Sequence, residues 1–412
     1  MYKTKANTII KTIVLLFALS VYVIGAYTFS RHNSYYNMYA LGNGDHISYE
    51  KARVISIDSE NTEPDKHYKN LLLGSQQITI QILTGEYKGK KMKITNGLNY
   101  DTNYLLNTGN NIIVSVNTAE DSGKSTINVF IYGPYRQVWL YILVGIFILV
   151  LCLIGGRHGF KSVMGIVFTI TSVVFIFIPL IYNGFSPITA SLLIAMFTVC
   201  VTLLLTTGLE IKTLSAICGT IIGVIFSALI LVIFQRLTSL SGYNMPEADS
   251  LMALSSHTGL RVNELLFAAI IISSLGAVMD IAISIASSMQ EIYMSNHQFN
   301  SKQLFKSGIN VGRDMMGTMA NTLILAFTGT SLNMLILIYA YNMNYYQIFN
   351  SNTIAIEIIQ AISGSFAIIL TVPLVSFISA KLLPLSYKNK EHKVSIEMSI
   401  ETVPDSNSAN VI

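Results

Sequence analysis

The chain has 412 residues, of which 52% are hydrophobic and only 12% are charged. Soluble domains carry about 25% charged residues, so this composition and several long apolar runs exclude a soluble globular protein. The net charge of +4 does not indicate nucleic-acid binding, because the basic residues lie where membrane topology requires them, and the three cysteines lie in apolar runs and give no disulfide framework.

The chain begins with three lysines followed by an apolar run over residues 12–29. This run is longer than the hydrophobic region of a typical signal peptide, and no good cleavage site follows it. Residues 1–30 are therefore expected to be an uncleaved signal anchor that forms the first transmembrane helix.

Residues 31–137 differ from the rest, because short runs of β-strand composition alternate with turn residues. Ile78, Ile80 and Ile82 show the alternation expected of a half-buried strand. Five short strands in about 90 residues predict a small extracytoplasmic β-domain, either an OB-like barrel or a sandwich. The predicted strands are Ala52–Ile57, Gln77–Leu83, Lys91–Thr95, Ile112–Val116 and Thr126–Tyr132.

Lys88, Lys90, Lys91 and Lys93 make the region of the third strand basic. Such a strand could contact anionic lipid headgroups or cell-wall polymers, or it could be a solvated edge that prevents pairing with other sheets. The sequence favours the solvated edge and a β-domain without a ligand site.

Residues 138–380 contain seven further apolar runs, which together with the first give about eight transmembrane helices. With the N-terminus inside, the cytoplasmic segments hold 13 Lys and Arg residues and the short outer loops hold two. This bias places both termini in the cytoplasm and residues 31–137 outside. Residues 381–412 are expected to be a disordered cytoplasmic tail. The predicted spans are about 138–154, 160–182, 188–206, 213–234, 265–287, 317–339 and 355–378.

Small and polar residues recur along one face of most later spans, which lets helices approach closely. Gly219 and Gly223 form a G-x-x-x-G pair in the fifth span, whereas the first two spans lack such a face. Spans three to eight are therefore expected to form a six-helix core, with spans one and two at its edge. A short surface helix is predicted over Gln298–Lys306.

Asp280 lies inside the sixth span, on a stripe of small and polar residues that includes Ser273 and Ser284. A charge at the bilayer centre costs at least about 2.5–3.5 kcal/mol, so Asp280 is expected to face other helices or water. Asn321 is predicted at a similar depth on the next span, with Thr318 one turn before it. These groups could bind a cation, a proton or a polar substrate. Alternatively, a protonated Asp280 could bond to Asn321 and only lock two helices together.

Three other ionisable residues are weaker candidates. Glu357 lies near the outer end of the last span, where it could bind an ion or simply meet water. Arg313 and Asp314 lie at the inner membrane boundary, where they could serve function or act as a topology marker with a local ion pair. No H-E-x-x-H, G-x-S-x-G or Walker A motif is present, so we expect no catalytic residues, no metal and no cofactor.

Several stretches resemble the YibE/F-like family of bacterial membrane proteins, over about residues 80–380. The stretches are GEYKGKKMKITN (85–96), YGPYR (132–136), GGRHGFKS (155–162), SSLGAVMDIAISIASSMQEI (273–292) and GRDMMGTMANTLILAF (312–327). The resemblance implies an eight-span protein of the bacterial plasma membrane with an extracytoplasmic domain, described as a membrane protein or transporter. The family's name comes from paired proteins, which suggests a second membrane subunit.

Two functions remain open. The first is a secondary permease, or a permease subunit, for a small solute or ion, with Asp280 as the coupling group. The second is a membrane scaffold or sensor that does not transport and whose β-domain binds a partner. The expected partners are the lipid bilayer and either a second membrane subunit of the same family or further copies of the chain, without nucleic acid.

Overall fold

The computed structural model describes residues 2–32, 46–68, 70–121 and 124–401. The chain divides into two compact units, Met1–Ser34 with Ile154–Ile412, and Tyr35–Leu153. The helices are α1 (Tyr2–His32), α2 (Gln137–Ser172), α3 (Ile178–Tyr182), α4 (Pro187–Thr207), α5 (Ile211–Thr238), α6 (Ala248–Ser255), α7 (Val262–Ser295), α8 (Ser301–Thr330), α9 (Leu332–Ala340), α10 (Tyr345–Phe349) and α11 (Asn352–Glu401).

One five-stranded antiparallel sheet, curved into a half-barrel, contains all five predicted strands to within one residue. Its strand order is β3-β2-β1-β4-β5. The alternation seen in the sequence sets its inner face, because Ile78, Ile80 and Ile82 of one strand and Ile112 and Val114 of another are fully buried. A single curved sheet replaces the predicted alternative of two packed sheets. The strands are β1 (His46–Pro64), β2 (Leu72–Ile82), β3 (Lys91–Leu98), β4 (Asn111–Asp121) and β5 (Lys124–Pro134).

The core of this sheet contains a polar network that the sequence did not predict. Gln76 is fully buried; its Nε2 donates to Glu60 Oε2 at 2.8 Å and its Oε1 accepts from the backbone N–H of Leu106 at 3.0 Å. Asn96 Nδ2 donates to Gln76 Oε1 at 3.0 Å and to the Tyr104 carbonyl at 3.1 Å. The network ties the long β3–β4 loop to the sheet.

Among the described residues, six helices are long and apolar enough to cross a membrane, or up to seven if the bent pair α8 and α9 is one span. The predicted second and third spans lie on one helical stretch, Gln137–Tyr182, which includes a π-helical turn at Val173–Phe177. Gly156 breaks this stretch with φ 53° and ψ −126°, a conformation that glycine adopts without a Cβ clash. The break falls in the predicted connection between the two spans.

The predicted helix boundaries around the seventh span are wrong. The expected surface helix at Gln298–Lys306 and the first half of the span are one helix, α8, which begins at Ser301. Asn300 caps it, because its side chain accepts from the Gln303 N–H at 2.9 Å while Gln303 Oε1 accepts from the Asn300 N–H at 3.0 Å. The rest of the span, α9, is bent from α8 by 62°.

The predicted disordered tail over 381–412 is also corrected. The last helix continues to Glu401, and residues 402–412 lie outside the described part of the chain. Pro384 lies inside this helix and does not end it.

Candidate functional site

Helix α7, which carries Asp280, lies at the centre of the helical unit. It packs against α4, α5, α8 and α11. Neighbours within this ring also pack on one another, α4 on α5, α5 on α11 and α11 on α8. Among the described helices, α8 and α4 share no extensive contact, so the ring around α7 is open between them.

The exposed side of α7 is a narrow stripe that faces this opening. Its exposed residues recur at steps of three and four, Ala269, Ser273, Gly276 and Asp280, while the opposite side of the helix is buried. Ser284 continues the stripe and is half-buried. The sequence therefore predicted the stripe, but it did not predict that a gap in the ring would leave Asp280 exposed.

Helix α8 runs antiparallel to α7, and its register fixes what lies beside Asp280. A Cβ on Gly312 would lie 3.3 Å from Ile285 Cδ1, and one on Gly308 would lie 2.5 Å from Met289 Sδ. Continuing this register by five residues places Asp280 opposite Gly317. Thr318 is thus level with the carboxylate, and Asn321 lies about one helical turn further along, instead of at the same depth as predicted.

The outward side of α8 is largely polar, although Ile324 and Leu325 are also exposed there. It points away from α7 and α11, and we call it the polar arc. The Thr318, Thr322 and Thr328 hydroxyls bond to carbonyls of their own helix, whereas the Asn321 amide, like Asp280, has no hydrogen bond within the described residues. The predicted bond between Asp280 and Asn321 is therefore not formed. The arc is defined by the exposed polar residues Arg313, Asp314, Thr318, Asn321, Thr322 and Thr328.

Arg313 and Asp314 lie level with Ser284, about one turn from Asp280. Both side chains are exposed, and neither forms an ion pair with any described residue. The local ion pair that the sequence suggested between them is therefore absent from this part of the chain.

Glu357 lines a cavity of about 370 Å³ between α11 and the bent pair α8 and α9. Its Oε2 atom is buried and has no hydrogen-bond partner among the described residues. Thr328 and Ser331 also line the cavity, but their hydroxyls donate to backbone carbonyls at 2.8 and 2.9 Å. The other lining residues are apolar, so an unpaired carboxylate oxygen is the main polar feature of this cavity.

The two carboxylates lie at different depths. Gly364 of α11 is close to Leu323 and to Ser274 of α7, which sets these three residues at one level. Asp280 is six residues beyond Ser274, and Glu357 is seven residues before Gly364 on a parallel helix. At 1.5 Å per residue they are separated by about 20 Å along the helices.

A third polar group, which the sequence gave no reason to single out, lies near the C-terminal end of α7. Glu210 lies 2.9 Å from Lys212 Nζ and accepts from Gln290 Nε2 at 3.2 Å. Glu210 and Gln290 line a second cavity of about 710 Å³ together with Tyr387 of α11. The buried Gln290 Oε1 has no hydrogen-bond partner among the described residues. Only the charge of Glu210 at a predicted loop could have suggested it.

The β-sheet unit has its own surface features. Tyr49, Phe130 and Tyr132 are 60%, 62% and 68% exposed, and the Tyr49 and Tyr132 rings pack edge to face with centroids 5.0 Å apart. Lys93 on the edge strand β3 lies 3.0 Å from Asp58. The hydrogen bond from Lys93, followed by those from Thr79 and Ser56, holds the pKa of Asp58 below its usual value of 3.8. The described residues contain no cluster of His, Cys, Asp or Glu that could hold a metal ion.

Two family models match this chain. Residues 45–133 match the YibE/F family N-terminal domain, and residues 143–385 match the YibE/F-like protein. The chain belongs to the YibE/F family. Searches of curated proteins and of solved structures returned no match.

The two matched regions of this YibE/F protein correspond to the two units of its fold. The N-terminal match covers the curved sheet, and the second match covers the helices from α2 to most of α11, with Asp280, Glu357 and the polar arc. The resemblance seen in the sequence is thereby confirmed, and it extends to residue 45.

Proposed function

We propose that this chain is a secondary permease of the bacterial plasma membrane for a small cation. The observation that carries the proposal is the placement of Asp280 on the exposed stripe of α7, at the opening of the ring and level with the polar arc. A carboxylate left against acyl chains would cost at least about 2.5–3.5 kcal/mol, so a water-filled path at this opening accounts for its position.

The sign of the substrate follows from the charged groups. Among the described residues of the predicted spans that form the ring, Asp280 and Glu357 are the only Asp, Glu, Lys or Arg residues, and both are acidic. Glu357 adds an unpaired oxygen in a mostly apolar cavity, which suits an ammonium group attached to a small apolar body. The two carboxylates, about 20 Å apart along the helices, would bind the cation at successive depths.

The proposed topology has eight spans with both termini in the cytoplasm. The stretch Gln137–Tyr182 has 46 residues, or about 70 Å of helix, which is more than twice the thickness of the hydrocarbon core. In the proposed topology the chain reverses at Gly156, so that this stretch forms two spans, and the bent pair α8 and α9 forms another. The excess of Lys and Arg in the predicted inner loops supports an orientation with the sheet outside. The strand order of the sheet is that of an OB-like barrel open between β3 and β5.

The proposal is tested in proteoliposomes that contain the pH indicator pyranine. We expect one of Na⁺, K⁺ and phenethylammonium, added outside, to change the internal pH with the wild-type chain. Asp280→Asn should abolish the change, because the amide cannot exchange a proton, while Ser273→Ala on the same stripe should retain it. A response that survives Asp280→Asn, or no response above that of protein-free vesicles, contradicts the proposal.

The exposed aromatic residues of the sheet favour a second candidate function. Tyr49, Phe130 and Tyr132, with the 56% exposed Ile47, form an apolar patch of the kind that binds protein partners. In that case the helices anchor a binding domain and transport nothing. Deletion of residues 45–132 would then abolish the function of the protein in cells, and Asp280→Asn would not.

A further inference from the structure

The polar arc of α8 reverses the pattern expected of a helix at the edge of a membrane protein. The inward side of α8 is closely packed, since Leu304, Gly308 and Gly312 are buried against α7 and α11. The outward side carries charged, amide and hydroxyl side chains, with the exposed apolar residues Ile324 and Leu325 near its C-terminal end. If α8 lay at the edge of a single chain in a bilayer, Thr318, Asn321 and Thr322 would face acyl chains, which offer no hydrogen bonds. Arg313 and Asp314 would lie exposed at the inner boundary of those chains.

We propose that a second copy of this chain covers the polar arc and closes the opening of the ring, so that the two copies form a dimer about a two-fold axis along the membrane normal. The axis would run beside α8, and the arcs of the two copies would face each other. Asp280 would then line a space between copies instead of a surface that is open to lipid.

Under this symmetry the charges of the arc in one copy are complementary to those of the arc in the other copy. Arg313 and Asp314 are adjacent, exposed and unpaired within the described residues. A two-fold axis along the membrane normal keeps both residues of each copy at one depth. Arg313 of each copy can therefore pair with Asp314 of the other, as an isologous contact requires. A different protein partner would need its own complementary charges at this depth, whereas a second copy of the chain carries the same Arg313 and Asp314.

The shape of the surface also permits close approach. A Cβ added at Gly276, Gly317 or Gly329 would meet no atom within 4 Å, so these glycines border open space. Glycines at a helix surface let a second helix come near enough for side chains and backbone to form contacts. Asn321, near the middle of the arc, would then lie close to its counterpart in the other copy.

Disulfide cross-linking of the purified full chain in lipid nanodiscs or vesicles tests the dimer. In a background with Cys152, Cys200 and Cys218 changed to serine, Asn321→Cys should form a covalent dimer on oxidation. Leu193→Cys, on an exposed apolar side of α4, is the matched control and should stay monomeric. A monomeric Asn321→Cys chain, or equal cross-linking at both positions, overturns the proposal.

A charge exchange tests the pairing without relying on a single variant. Arg313→Asp should weaken dimer formation, measured by counting photobleaching steps of singly labelled chains at low protein density. The double variant Arg313→Asp with Asp314→Arg should restore it, because the pair is re-formed in reverse. If the double variant is as monomeric as the single one while both elute as folded protein, the proposed contact is wrong. These assays measure no transport, so their failure is distinct from a failure of the permease proposal.

Discussion

Asp280 owes its proposed role to its position around α7 more than to its identity. Ile281, the next residue, is fully buried in the ring, and Val278, two residues earlier, is buried as well. A shift of one position would therefore bury an unpaired carboxylate, which is far more costly than exposing one to water. The periodicity of the sequence placed Asp280 on the correct stripe, but the gap that exposes the stripe depends on helices distant in the chain.

At Glu357 we expect Glu357→Gln to remove binding of phenethylammonium. The substitution keeps the shape of the side chain and removes the charge that the buried oxygen would share with an ammonium group. Binding is measured by ligand-observed NMR with the chain in nanodiscs, and phenethyl alcohol, which lacks the charge, serves as the control ligand. Equal binding of the amine to both chains would contradict a charge-selective cavity.

Asp65 gives a pH prediction outside the proposed spans. The backbone N–H groups of His67 and Tyr68 donate to it at 2.7 and 2.9 Å, and these bonds hold its pKa below the usual 3.8. Because the folded pKa is lower than the unfolded one, the stability that Asp65 contributes is present above about pH 3.8 and is lost as the pH falls through the folded pKa.

Asp65→Asn should therefore lower the protection of residues 65–72 against hydrogen exchange at pH 7, relative to the wild type at the same pH. Below the folded pKa the two chains should behave alike, since the wild-type carboxyl is then neutral. A difference that is constant with pH would show that the charge of Asp65 does not stabilise this turn.

At the scale of elements, α5 approaches α11 closely at the G-x-x-x-G pair that the sequence showed. A Cβ on Gly219 would collide with Val375, and one on Gly223 would collide with Thr371 Oγ1. A Cβ added at Gly145, in helix α2, would meet no atom within 4 Å. The G-x-x-x-G pair is thus a site of close helix approach, as its spacing indicated.

Gly223→Ala should destabilise the chain by about 1–3 kcal/mol through overpacking, even though alanine favours helix over glycine. Gly145→Ala should be neutral or stabilising, because it gains helix propensity without a clash. The melting temperature of each variant in detergent, followed by loss of the folded peak in size-exclusion chromatography, gives the comparison. An equal melting temperature for both variants would mean that the α5–α11 contact is looser than described.

The position of the bend between α8 and α9 could not be read from the sequence. Ser331 ends α8 with φ −89° and ψ 5°, although neither glycine nor proline occupies that position. Its hydroxyl donates to the Phe327 carbonyl at 2.9 Å, which offers the backbone an alternative to a further helical turn. Whether this hydrogen bond ends the helix depends on the surrounding packing, which the sequence does not show. The apolar run 317–339 therefore predicted one straight span.

At the scale of the whole molecule, the sequence was most informative about composition and pattern. Apolar length located the helices and alternation located the strands, because both depend on neighbouring residues. The order of helices around α7, the Gln76 network and the Glu357 cavity depend on contacts between distant segments. Those features could therefore not be predicted from the sequence.

The eight-span topology is tested by labelling single cysteines in the cysteine-free chain with a membrane-impermeant maleimide. Tyr341→Cys, in the connection after α9, should react in intact cells. His158→Cys and Gln298→Cys should react only after permeabilisation, because both lie in predicted inner connections. Reaction of His158→Cys in intact cells would show that the chain does not reverse at Gly156.

The most direct test of a water-filled path at the opening of the ring is the access of water-soluble reagents to residue 280. In the cysteine-free chain, Asp280→Cys in a lipid bilayer should react rapidly with a charged methanethiosulfonate reagent, whereas Leu193→Cys on the exposed apolar side of α4 should not. If the cysteine at position 280 is as unreactive as the one at position 193, no aqueous path reaches the Asp280 position and the permease proposal is wrong.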